Sequence, residues 1–123
     1  MKQHILIVDD EAPVLDLLSA YFTKRGYQVT AKNSADDAIS AVEDAQFDVV
    51  ILDVLLADKD GLEVLAQIKS THPNLPVIIM TGIGFDEQLL QEAVQKGAAG
   101  YVSKTLPLDQ LLMEVHRVLK YKQ

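Results

Sequence analysis

Three aspartates, a threonine and a lysine stand at the ends of four short apolar runs in this 123-residue chain. Ile5-Leu6-Ile7-Val8 stops at Asp9-Asp10, Val49-Val50-Ile51-Leu52 at Asp53, Val77-Ile78-Ile79-Met80 at Thr81, and Tyr101-Val102-Ser103 at Lys104. In a parallel sheet all strands point the same way, so residues just past the strand ends gather along one edge. Two unit charges about 4 Å apart repel by roughly 4 kcal/mol at an effective dielectric near 20, so three ionised aspartates there call for a cation. Without one, some would take up protons at neutral pH. An all-oxygen site with open positions suits Mg2+, which keeps waters and engages one or two carboxylates together with phosphate oxygens. Zinc would want His or Cys; the chain has no cysteine, and His4, His72 and His116 are scattered away from these strand ends. With the cation in place, a carboxylate can attack a phosphoryl group and form an aspartyl phosphate. The Thr81 hydroxyl and the Lys104 ammonium would then contact the phosphoryl oxygens and offset the charge developing there.

Taken singly, each of these residues has a plainer reading. An aspartate or threonine after a strand often only caps the next helix, and most lysines are simply solvated. Tyr101 reads as an ordinary sheet aromatic, and Glu11 and Asp58 as surface charges. The joint arrangement changes the odds, because four separate strands each end in a group that phosphoryl chemistry needs.

The elements that would position these groups alternate along the whole chain. Pro13 suits the first turn of a helix with Val14, Leu17, Leu18, Tyr21 and Phe22 on its buried face, ended by Gly26. Tyr27 to Ala31 alternates as an outer strand does. Ser34 opens a helix with Ala38, Ile39 and Val42 buried. Asp60-Gly61 signals a turn before a helix burying Leu62, Leu65 and Ile68, and Pro73 and Pro76 break it. Leu89, Leu90, Ala93 and Val94 mark a fourth helix that Gly97 ends. Pro107 opens a fifth with Leu108, Leu111, Leu112, Val115 and Leu119 inward. Five strands and five helices in alternation predict an α/β fold, a flavodoxin-like doubly wound parallel sheet of five strands in the order 2-1-3-4-5. Strands one, three and four are then the most buried, in line with their purely apolar runs.

Composition narrows the function classes. At this length the chain is one domain, 1–123. Eleven basic residues against 18 acidic ones give a net charge of −7, with no basic stripe to track a phosphate backbone, so direct nucleic-acid binding is not expected. The strand-like run begins after Met1-Lys2-Gln3-His4, so a signal peptide is not expected, and no apolar run approaches membrane-spanning length. The lack of cysteine fits a reducing cytoplasm.

The ordered set of motifs resembles the receiver domains of bacterial two-component response regulators. It comprises Ile-Leu-Ile-Val-Asp9-Asp10-Glu11, Val-Ile-Leu-Asp53, Asp60-Gly61-Leu62-Glu63-Val64-Leu65, Met80-Thr81-Gly82, and Gly97-Ala98-Ala99-Gly100-Tyr101-Val102-Ser103-Lys104, and so covers the whole chain. The resemblance implies that Asp53 is the phosphoacceptor, and that Asp9, Asp10, Asp53 and the backbone carbonyl of Leu55 hold Mg2+. It makes Thr81 and Tyr101 paired switch residues and Lys104 the phosphate-binding lysine. The implied partners are a sensor histidine kinase and a downstream effector domain or protein, and a homodimer formed on phosphorylation is a further one. The effector is expected on a face made by the fourth helix, fifth strand and fifth helix. Such a domain accepts a phosphoryl group rather than turning over an external substrate. The competing expectations are a receiver-like binding module that is not phosphorylated and a magnesium-dependent phosphatase.

Three positions depart from the family's pattern. Ala57-Asp58 stands where Pro-Gly is common, which predicts a less rigid loop after the phosphoacceptor. Thr105 follows Lys104 where proline after a cis bond is common, and a cis bond before a non-proline costs roughly 3 kcal/mol, so a trans peptide is expected. Gly82 replaces a usual alanine. Leu55 and Ile83, in positions that flank the phosphoryl group in the family, offer no hydrogen bond to an attacking water, so a long-lived aspartyl phosphate is expected.

Overall fold

The structure, a computed structural model, describes residues 2–82, 86–104 and 107–120. Strands β1 (His4–Val8), β2 (Gln28–Lys32), β3 (Val49–Asp53), β4 (Val77–Thr81) and β5 (Gly100–Ser103) alternate with helices α1 (Ala12–Lys24), α2 (Ala35–Asp44), α3 (Gly61–Thr71), α4 (Glu87–Gln95) and α5 (Leu108–Lys120). The strands form one sheet in the order β2-β1-β3-β4-β5, with every pairing parallel, as the alternation predicts. Among the described residues no helix is long and apolar enough to cross a membrane.

Alternate side chains of the buried strands feed two cores, one on each face of the sheet. Leu6, Val8, Val50, Leu52, Val77 and Ile79 pack with α2, α3 and α4. Ile5, Ile7, Val49, Ile51, Ile78 and Met80 pack with α1 and α5. Strands β1, β3 and β4 are therefore apolar on both sides because both sides are covered, whereas β2, at the sheet edge, has no fully buried residue. Gly26 and Gly97, at φ of 95° and 98°, end α1 and α4 in the left-handed conformation that the cap expectation required.

The helical stripes differ from expectation in detail. In α1 the buried residues are Leu15, Leu18 and Phe22, while Leu17 is 56% exposed. A stripe stepping by three and four residues passes through Leu15, and the neighbouring Leu17 falls on the outer flank. In α4 only Ala93 is buried, and Val94 is 59% exposed. α3 buries Val64 as well as the expected three leucine and isoleucine positions, and α5 buries Val118. β2 begins at Gln28 because Tyr27 is spent before the strand, its ring meeting Phe22 edge-on at 5.8 Å.

Backbone bonds carry the sheet ladder one step past its strands and so place the chemistry. The Asp9 amide donates to the Lys32 carbonyl at 3.2 Å, the Val54 amide to Met80 at 3.0 Å, and the Lys104 amide to Thr81 at 2.7 Å. Asp9, Asp53, Thr81 and Lys104 are thereby fixed in mutual register at one edge.

Candidate functional site

The end of β3 delivers Asp53 into a place 2% exposed to solvent. Its Oδ1 accepts from the Leu55 amide at 3.1 Å and its Oδ2 from Lys104 Nζ at 2.9 Å. Asp9, past the end of β1, is wholly buried, and its Oδ1 accepts from the Glu11 amide at 2.8 Å. Its Oδ2 lies 2.8 Å from Lys104 Nζ in an ion pair. Asp10 beside it is exposed, and oxygens of Asp9, Asp10 and Asp53 lie within 4.8 Å of one another.

Buried carboxylates this close leave clear electrostatic marks. Burial pushes the Asp53 carboxyl above its ordinary range, and the nearby Asp9 adds to the rise, while bonds from Lys104 and the Leu55 amide work against it. For Lys104 burial opposes the ammonium, but its contacts with Asp9, Glu11 and Asp53 outweigh that and hold the proton more tightly than in water. One ammonium thus serves three carboxylates. Three carboxylates close together, two of them buried, with only one ammonium among them, make an oxygen-only donor set that fits Mg2+, and Asp9, Asp10 and Asp53 are the side chains able to hold it.

Thr81 closes β4 and is fully buried, in register with Ser103 of β5. Tyr101 pairs with Ile79, a turn of the pleat earlier, and packs half-buried against the α2-α3-α4 core. The structure therefore joins Asp9 and Asp53 through Lys104, sets Asp10 close beside the two carboxylates, puts Thr81 in the adjoining strand end, and sets Tyr101 back along β5. Leu55 leaves β3 at 58% exposure, so its side chain does not by itself close the approach to Asp53. Ile83 and the Lys104-Thr105 peptide lie outside the described residues. A concavity of about 860 Å3 between His4, Phe47, Asp48, His72 and Leu75 is at the other end of the strands and contains none of these groups.

Two residues read as surface charges have larger roles. Glu11 Oε1 lies 2.7 Å from Lys104 Nζ, so an exposed carboxylate steadies the shared ammonium. Its position directly after the acidic pair was the available signal. Asp58 accepts from the Ala35 amide at 3.0 and 3.1 Å and from the Asp36 amide at 3.4 Å, which ties the loop after Asp53 to the start of α2. No local pattern announces a contact between such distant stretches. The loop expected to be less rigid is anchored.

Residues 5–116 match the sequence model of the family described as the response regulator receiver domain. The chain is 35% identical over 120 residues to the transcriptional regulatory protein ZraR of Salmonella typhimurium, covering 98% of this chain and 27% of that protein. It thus spans about a quarter of the length of that relative. It is 34% identical over 122 residues to sporulation initiation phosphotransferase F of Bacillus subtilis, covering 99% of this chain and 98% of that protein. A crystal structure of a CheY-like response regulator receiver domain protein from Methanospirillum hungatei JF-1 superposes with a TM-score of 0.95 at 25% identity, covering 99% of this chain and 97% of the other.

Proposed function

This chain belongs to the response regulator receiver domain family, and from that premise we propose that residues 1–123 form one receiver domain, a phosphorylation switch with Asp53 as phosphoacceptor. The carrying observation is the buried Asp53 carboxylate with Lys104 Nζ at 2.9 Å and the oxygens of Asp9 and Asp10 within 4.8 Å. An Asp53 oxygen attacks the phosphorus of a phosphohistidine on a sensor histidine kinase; the P–O bond forms as the P–N bond breaks, and the leaving imidazole takes a proton from solvent. Asp9, Asp10, Asp53 and the Leu55 carbonyl would hold Mg2+, which would supply positive charge beside the phosphoryl oxygens. Lys104, kept ionised by its three carboxylates, supplies a second positive charge, and the Thr81 hydroxyl donates to a phosphoryl oxygen.

The switch follows from where Thr81 sits. A hydrogen bond from its hydroxyl to the new phosphoryl group draws the end of β4 inward and makes room for Tyr101 to turn in. The face of α4, β5 and α5 then changes its affinity for an effector domain or protein, shifting a two-state equilibrium. Among the described residues the site offers no acid or base beyond Asp53, the carboxylates that would hold the metal, and Lys104 with Glu11 beside it.

Incubation with acetyl phosphate and Mg2+, followed by intact mass, tests this. One added phosphoryl group in the wild type and none in Asp53→Asn is the expected result. Steady release of phosphate without a retained adduct would point to a phosphatase, and absence of an adduct under all conditions to a module that binds without being phosphorylated.

A further inference from the structure

The segment from Leu55 to Asp60 leaves β3 directly after Asp53 and returns into α3, and it is held in two places. At its base, Leu55 and Asp60 form an antiparallel bridge and the Gly61 amide donates to the Val54 carbonyl at 2.8 Å. At its tip, the Asp58 carboxylate reaches across to α2. Both of its oxygens accept from the Ala35 amide, at 3.0 and 3.1 Å, and Oδ2 also meets the Asp36 amide at 3.4 Å. These amides begin α2, where the helix's own ladder provides no acceptor. The Asp37 amide in the same turn is taken locally by Ser34 Oγ at 3.2 Å. One helix terminus is therefore capped twice, once by its own chain neighbour and once by the loop that follows Asp53. The Ala35 amide is the main reason that the Asp58 carboxyl is held below its ordinary range. Ala57-Asp58-Lys59 contains neither proline nor glycine, so the tip is restrained from outside rather than by its own backbone.

We propose that Asp58 is a positioning residue for the cation: by tying the loop tip to α2 it holds the Leu55 peptide where its carbonyl meets Mg2+. The inference rests on the Mg2+ site assigned above. A six-residue excursion fixed only at its base would carry a mobile carbonyl ligand, and ordering that ligand would then draw on the binding energy. Fixed at both ends, the ligand is ordered before the ion arrives. Partners of this outer kind typically contribute about tenfold or more to metal affinity.

The test is a Mg2+ titration followed by amide shifts in the full chain, with melting in EDTA recorded for each variant. Asp58→Ala is expected to weaken Mg2+ by about tenfold. Asp58→Asn, which keeps one acceptor oxygen, is expected to fall between it and the wild type. Ser34→Ala removes the other cap of the same helix end without touching the loop; it is expected to lower the melting temperature and to leave the Mg2+ affinity unchanged. An Asp58→Ala affinity within about twofold of the wild type, or an equal loss in Ser34→Ala, would overturn the positioning role. A wild type that shows no Mg2+-dependent shifts, or an Asp10→Ala variant that binds as tightly, would instead remove the metal site itself and the inference with it.

Discussion

Helices α3 and α4 cover the same face of the sheet and begin alike, yet they are held very differently. Asp60 Oδ1 caps α3 by accepting from the Leu62 amide at 2.9 Å, and Asp86 Oδ1 caps α4 by accepting from the Leu89 amide at 3.1 Å. Past the cap, α3 buries Gly61, Leu62, Val64, Leu65 and Ile68, whereas α4 buries only Ala93. The cap is therefore not what separates them; buried apolar surface is. α3 follows the loop that leaves Asp53 and carries Leu55, where a displaced ligand would weaken the chemistry. α4 follows Thr81, where the proposed switch needs movement. Segments that move are drawn from the weakly held end of a protein's local stability scale. The carboxylate half of the site is clamped, whereas α4, on the side assigned to output, rests on little burial.

Two glycine substitutions should sharpen this contrast most. A Cβ on Gly61 would lie 2.4 Å from the Asp53 carbonyl oxygen and 2.6 Å from Val54 Cα, both backbone atoms that cannot step aside singly. Gly61→Ala is expected to cost about 3 kcal/mol, at the upper end of overpacking, and to weaken Mg2+ binding by moving the β3 end. At Gly82 the nearest atom to an added Cβ is Lys104 Cδ at 3.6 Å, and its φ is not positive. Gly82→Ala should stabilise by about 0.4–1 kcal/mol through the lower entropy of the unfolded chain. Urea unfolding of both variants checks the pair; similar effects at the two sites would erase the distinction.

Amide exchange reads the same difference without mutation. Amides of α3 should exchange at least about tenfold more slowly than those of α4, since each tenfold corresponds to about 1.4 kcal/mol of local stability. Phosphorylation should change protection chiefly between Thr81 and Val115. Changes confined to α1 and α2 would break the assignment of the output face.

The same contrast explains what the sequence made legible. Strands β1, β3 and β4 announce themselves because burial on both faces demands unbroken apolar runs, and the order 2-1-3-4-5 agrees with that burial. Asp9, Asp10, Asp53, Thr81 and Lys104 stand out because each follows such a run. α4 misleads: Val94 continues the helical pattern of Leu90, but so shallow a contact leaves it outside. Leu17 misleads similarly in α1. Asp58 was illegible because its partners, the amides of Ala35 and Asp36, are backbone groups that no residue type reveals. Glu11 was a matter of shared charge, visible only once Lys104 is seen between three carboxylates.

The smallest expected effect concerns the cost of keeping Asp53 ionised. Burial raises its carboxyl above the ordinary 3.8 despite the Lys104 bond. A group whose native value lies above its unfolded one binds more protons in the native state, so stability falls as pH rises between those two values. In EDTA, then, the wild type loses this contribution as the pH climbs from about 4 through the raised native value. Asp53→Asn carries no such proton. It should melt higher than the wild type at pH 7 without metal, with the gap closing as the pH falls toward 4. Tyr101 offers the control on the output side: burial moves its phenol further above 10.0, so Tyr101→Phe should shift melting by the same amount at pH 4 and pH 7. Adding Mg2+ should narrow or reverse the order of wild type and Asp53→Asn, because binding to the native state alone adds RT ln(1 + [L]/Kd), about 1.4 kcal/mol at ten times Kd. A variant that melts below the wild type in EDTA at pH 7 would show that the Lys104 pair outweighs burial, and that the clamped half of the site is stable without its cation.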